Sequence, residues 1–170
     1  MPTISNDLLE AIVLSTDHSL VKLEMADGVP TWEAMPGIRH RRIARSIADS
    51  AQRLPQSEAD CGCHSFLDVY VRFPDGSFKS PDVAIYCEEP PDVDGAVDIL
   101  PVAIIEIVSK GYELKDQIGL PFYIAQGIPD VVVYDPRTRK VIHATQTGQA
   151  IHTAPIDLAF ACGCAVTIPL

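Results

Sequence analysis

The sequence predicts an α/β (α+β) fold in which a mixed β-sheet core is flanked by helices, and three observations carry that reading. Val102 to Val108 is apolar at almost every position, the mark of a central strand covered on both faces. A helical stretch, Leu114 to Ala125, follows it, and then comes a second apolar run, Val131 to Tyr134. Strand, helix and strand in that order are most simply closed by a crossover that lays the two strands parallel. Upstream, Ile43, Ile47, Ala51 and Leu54 recur at intervals of three and four, which predicts an amphipathic helix from Ile38 to Leu54.

The remaining elements follow in chain order. Leu8, Leu9, Ile12 and Val13 have helical spacing after Asn6 and Asp7, either of which can cap, so a short helix is expected from Asn6 to Ser15. Leu20 to Met25 alternates apolar and polar residues and runs into Asp27-Gly28, a turn dipeptide, which reads as a strand opening a hairpin. Glu24 and Glu33 there read as solvated edge residues, with a reach to a functional site as the alternative. Phe66 to Phe73, the turn residues Pro74-Asp75-Gly76-Ser77 and the segment carrying Asp82 read as two antiparallel strands. Cys87 to Leu100 is rich in Pro and Asp and is expected to bury little. Lys110-Gly111 should end the central strand, and Pro121 should start a new turn inside the helical stretch, which Gly127 closes. Val141 to Thr145 is the hairpin partner of the second buried strand, and the remainder reads as short closing strands.

A length of 170 residues suits one domain spanning 1–170 with a full core, and 47% hydrophobic residues fit a globular chain. No run approaches the roughly 18 apolar residues a spanning helix needs, and the first residues lack a basic leader, so the cytoplasm is the expected compartment. A net charge of −10 and a pI near 4.7 weigh against indiscriminate binding to a polyanion. The distribution softens that objection. Arg39, Arg41, Arg42 and Arg45 sit within two helical turns, whereas Glu88, Glu89, Asp92, Asp94 and Asp98 concentrate acid in one loop.

The chemistry-bearing residues lie between Ser80 and Asp116. Two apolar runs each carry one carboxylate, Asp82 and Glu106, and Lys115 follows at the next element. A carboxylate in an apolar strand is costly to bury unless a positive group compensates it, and a shared divalent cation would do so. For Asp82 the plainer alternative is a cap after Pro81; for Glu106 it is a buried salt bridge with Lys115 or an arginine. His40, in the first turn of the arginine-bearing helix, reads from composition as an exposed histidine on a basic face. Five cysteines form two Cys-Gly-Cys pairs, Cys61 to Cys63 and Cys162 to Cys164, plus Cys87. They read as reduced, partly buried thiols, with zinc ligation as the alternative and structural disulfides the less expected state of a cytoplasmic chain.

The order Pro81-Asp82, then Glu106 in a second strand, then a nearby lysine resembles the PD-(D/E)XK nuclease superfamily. With Ile105-Glu106-Ile107-Val108-Ser109 and the run from Tyr123 to Pro136, it resembles more narrowly the bacterial Uma-two family of restriction-endonuclease-like proteins. His40 and Glu24 to Gly28 also fit that pattern. The resemblance implies a restriction-endonuclease-like core and a metal-dependent endonuclease. Asp82, Glu106 and Lys115 would be catalytic, Asp82 and Glu106 would hold Mg2+ or Mn2+, and His40, Arg41, Arg42 and Arg45 would contact nucleic acid. It also implies DNA as substrate and action as a homodimer. One departure stands out: the superfamily lysine two residues after the glutamate is Val108 here, which leaves a non-catalytic nuclease-fold binding module as the competing reading.

Overall fold

The computed structural model describes residues 21–26, 28–109 and 113–170, with the side chains of Val21 and of 113–118 outside that description. The helix expected over Asn6 to Ser15, and the break at Lys110-Gly111, lie outside the described residues. In chain order the elements are β1 (Val21–Ala26), β2 (Val29–Ala34), α1 (Ile38–Asp49), β3 (Gln52–Arg53), β4 (His64–Leu67), β5 (Val71–Arg72) and β6 (Phe78–Lys79). Then come β7 (Val83–Tyr86), β8 (Ala103–Ile107), α2 (Glu113–Ala125), β9 (Asp130–Asp135), β10 (Lys140–Thr145), β11 (Gly148–Thr153), β12 (Ile156–Ala159) and β13 (Cys164–Ile168). No helix among the described residues is long and apolar enough to cross a membrane.

The main sheet has the order β11-β10-β9-β8-β7-β4. Its one parallel pair is β8 with β9, joined across α2, as the strand, helix, strand pattern predicts. β8 is therefore interior, and both its faces are covered. Ile105 and Ile107 pack with Ile43 and Ile47 of α1, while Ile104 packs with Tyr123, Ile128 and Val131 on the α2 side. A four-stranded sheet, β2-β1-β6-β5, and a three-stranded one, β12-β13-β3, complete the body.

The strands expected around residues 66–86 are each broken in two. Asp68, at φ 53, separates β4 from β5, so the first half pairs within the main sheet and the second within the four-stranded sheet. β5 and β6 form the hairpin over Pro74 to Ser77, and β7 then returns to the main sheet beside β8. The chain thus crosses between sheets immediately before Asp82.

Three further expectations change. α1 stops at Asp49 rather than Leu54: Gln52 and Arg53 are captured as an edge strand by Ala165 and Cys164, and the Leu54 amide donates to the Gly163 carbonyl. α2 runs through Pro121 without a break, and Gly127, at φ 89, closes it with amides of Gly127 and Ile128 turned back to Ile124 and Tyr123. The Pro- and Asp-rich connection is tied down by Val97, only 5% exposed, which bridges Val71 and exchanges backbone hydrogen bonds with Tyr70 and Arg72.

Candidate active site

Antiparallel register sets the heart of the site. Val83 lies opposite Ile105, and one step further along the two strands brings Asp82 to Glu106. The Asp82 amide stands 3.4 Å from Glu106 Oε2, and the Ile107 amide donates to Asp82 Oδ2 at 2.7 Å. The two acids are therefore side by side, as the sequence pattern requires. From α1, His40 Nε2 reaches Asp82 Oδ2 at 3.1 Å and the Ile107 carbonyl at 3.0 Å. Both neighbours are acceptors, so Nε2 carries the proton. His40 Nδ1 is buried without a hydrogen-bond partner. From α2, the Tyr123 hydroxyl donates to Glu106 Oε1 at 2.5 Å.

Two lysines that sequence reasoning did not single out complete the constellation. Lys22 is 7% exposed, 3.5 Å from Asp68, and its ammonium is held charged above its ordinary value. Burial opposes that charge, but Asp82, Glu24, Glu106 and Asp68 outweigh it. Lys79, also 7% exposed, stands 3.7 Å from Glu24 and 5.0 Å from the centre of the Tyr123 ring. Glu24 is not a solvated edge residue. It is 2% exposed and accepts the Ser80 amide at 3.0 Å, because the four-stranded sheet turns the polar face of β1 inward. Alternation along Val21-Lys22-Leu23-Glu24 was the available signal, since it places one base and one acid together on a strand face.

Of the other nominated residues, Lys115 lies on α2 with its side chain outside the described residues. Arg41, Arg42 and Arg45 are exposed on α1, and Arg45 is paired with Asp49 at 3.0 Å. Arg39, not they, lines a cavity of about 360 Å³ together with Met35, His40, Ile107, Val108 and Arg137; the cavity wall holds neither acid and meets them only through His40 and Ile107.

The electrostatics drive the two carboxylates apart. Glu106 is pushed up to about 8, by burial first and then by the charge of Asp82, against the pull of Lys22. Asp82 also suffers burial, but the hydrogen bond from His40 and the charge of Lys22 hold it below the usual carboxylate range. Burial lowers His40, and the hydrogen bond to Asp82, the charge of Asp82 and the hydrogen bond to the Ile107 carbonyl together more than reverse that.

A pH dependence follows. Glu106 in the fold titrates above its ordinary 4.5, so bound proton stabilises the native state. That contribution is full below pH 4.5 and is lost as pH rises through about 8. His40, raised from 6.5, acts in the same direction. In chelator, Tm is expected to fall over this window, and Glu106→Gln to flatten most of the fall; equal slopes in wild type and variant would contradict the assignment.

A model of the Uma2 family, described as "Putative restriction endonuclease", matches residues 7–159. The chain belongs to the Uma2 family. No curated protein matches it. Among solved structures, it is similar to "a putative nuclease belonging to DUF820" from Anabaena variabilis, at 19% identity and TM-score 0.62, over 89% of this chain and 86% of that one. At that identity the likeness establishes the restriction-endonuclease-like fold, while the Uma2 assignment supports a nuclease. In this Uma2 chain Val108 lies in the wall of the cavity, and the buried amines Lys22 and Lys79 come from β1 and β6.

Proposed function

We propose that the protein hydrolyses phosphodiester bonds of DNA with Mg2+ or Mn2+ held by Asp82, Glu106 and the Ile107 carbonyl. The observation that carries this reading is the pairing of two acids on adjoining strands, Asp82 buried and Glu106 half-buried, with Glu106 made unstable as an anion. Such a pair calls for a proton or a cation at neutral pH. A set of carboxylate and carbonyl oxygens fits a hard divalent ion. When bound, the cation would lower the pKa of a water and take up charge on the phosphate.

The chain's own groups have separable tasks. Tyr123 fixes Glu106 through its hydroxyl, and the His40 Nε2 proton fixes Asp82 Oδ2. Lys22 keeps a full positive charge beside both acids and is the candidate amine for the charge that grows on the phosphate. Lys115 of α2, whose side chain lies outside the described residues, is the other candidate. Arg39 at the cavity, with Arg41 and Arg42 on the same helix, would receive flanking phosphates.

The test uses labelled duplex and single-stranded DNA with Mg2+, Mn2+ or chelator. Cleavage that appears with either cation and disappears with chelator is expected. No cleavage of either form, or cleavage that persists in chelator, overturns the reading.

A further inference from the structure

Asp82 precedes β7 and Cys87 follows it, so that strand has an acid site at one end and a thiol site at the other. At the second end five cysteines from three parts of the chain converge. Pairing of His64 with Tyr86 brings the first Cys-Gly-Cys alongside Cys87, and the Gly62 amide donates to the Cys87 carbonyl at 2.8 Å. The start of β13 supplies Cys164. Contrary to the sequence expectation of free thiols, Cys61 is bonded to Cys87 and Cys63 to Cys164, and Cys162 is the free cysteine.

Two isolated crosslinks would not require their sulfurs to meet, yet here they do. Cys61 Sγ lies 3.3 Å from Cys164 Sγ, outside its own disulfide. The sulfurs of Cys61, Cys63 and Cys164 all lie within 4.8 Å of one another, as do those of Cys61, Cys87 and Cys162, so Cys61 joins both groups. Cys61, Cys63 and Cys164 are at most 7% exposed. The intervening glycines permit this crowding: Gly163 sits at φ 84, and a Cβ on Gly62 would meet His64 and the Cys87 carbonyl. In a tetrahedral zinc thiolate, with Zn–S about 2.3 Å, sulfurs stand about 3.8 Å apart. The 3.3 Å from Cys61 to Cys164 comes close to that value, and Cys87, which stands in the other group, reaches this one through Cys61.

We propose that, once the two disulfides are reduced, Cys61, Cys63, Cys87 and Cys164 bind one Zn2+ as a tetrathiolate site that ties the end of β7 to β13. Cys162 is the spare thiol. Reduction by a trialkylphosphine balances: each disulfide gains two electrons from phosphorus and two protons from water, and the phosphine leaves as its oxide. Zinc then displaces the four thiol protons into the buffer.

The experiment measures zinc bound to the full-length, phosphine-reduced protein after desalting, with circular dichroism as the check on folding. About one zinc per chain is expected, retained in Cys162→Ser and in the double variant Asp82→Asn, Glu106→Gln, and lost in Cys61→Ser. Cobalt added to reduced wild type should give thiolate-to-metal charge-transfer absorption, a readout needing no variant. Zinc far below one per chain with no cobalt band overturns the proposal. So does zinc that vanishes in the carboxylate double variant, which would place the ion between the acids. Failure here leaves the nuclease reading untouched, because that reading uses none of these cysteines.

Discussion

Asp82→Ala is expected to lower metal-dependent DNA cleavage at least about a thousandfold, equivalent to about 4 kcal/mol of transition-state stabilisation. Asp82 lies at the convergence of the Ile107 amide, the His40 imidazole and the Glu106 carboxylate. Removing it takes away a cation ligand and also orphans a buried amide, which costs about 1–3 kcal/mol in stability. Asp82→Asn separates the two effects. An amide oxygen still accepts from Ile107 but carries no charge, so this variant should lose less in denaturant midpoint than the alanine variant while remaining as inactive. Substantial cleavage by Asp82→Asn with wild-type metal dependence would remove the aspartate from the reaction.

Lys22→Met should produce the second large effect, and it should appear in both stability and activity. The methionine keeps most of the apolar stem while the only change in charge is the loss of an ammonium that faces Asp82, Glu24, Glu106 and Asp68. Leaving buried acids without their cation costs about 3–5 kcal/mol in comparable pairs. Glu106 can relieve part of that by keeping its proton, so its titration should move above the wild-type value of about 8. Saturating Mn2+ should then restore more stability to the variant than to wild type. Activity is expected to drop about a hundredfold, the scale of losing one preorganised group that meets developing charge. Urea unfolding with and without Mn2+ checks the first part and single-turnover cleavage the second. A variant matching wild type in chelator and in rate would make Lys22 a bystander.

How much of this was legible beforehand depends on where the determining contacts lie. β8 and β9 announce themselves because a strand covered on both faces must be apolar throughout, and Glu106 stands out as the exception. Asp82 beside Glu106 follows from antiparallel register once the strands are known. The polar flank of the site does not. Lys79 occupies what reads as an ordinary hairpin strand, and only the tertiary arrangement slides it over the rings of Phe122 and Tyr123. Tyr123 falls in the expected helical stretch, and nothing local tells that its hydroxyl ends on Glu106. The end of α1 was misplaced for a similar reason: Ala51 and Leu54 continue the helical spacing, but a strand more than a hundred residues later recruits Gln52 and Arg53 into a ladder. The cysteines were assigned from the expected compartment, while their pairing is fixed by the register of β4 on β7 and by the arrival of β13.

Binding of Mn2+ to the purified chain, measured by calorimetry at a pH below 8 and repeated with Asp82→Asn and with Glu106→Gln, bears most directly on the shared-cation centre. A single saturable ion per chain, with protons released as Glu106 ionises, and loss of that ion in each variant is the predicted result. Undiminished binding in both variants, or no saturable binding by wild type, would contradict a cation held between these two acids.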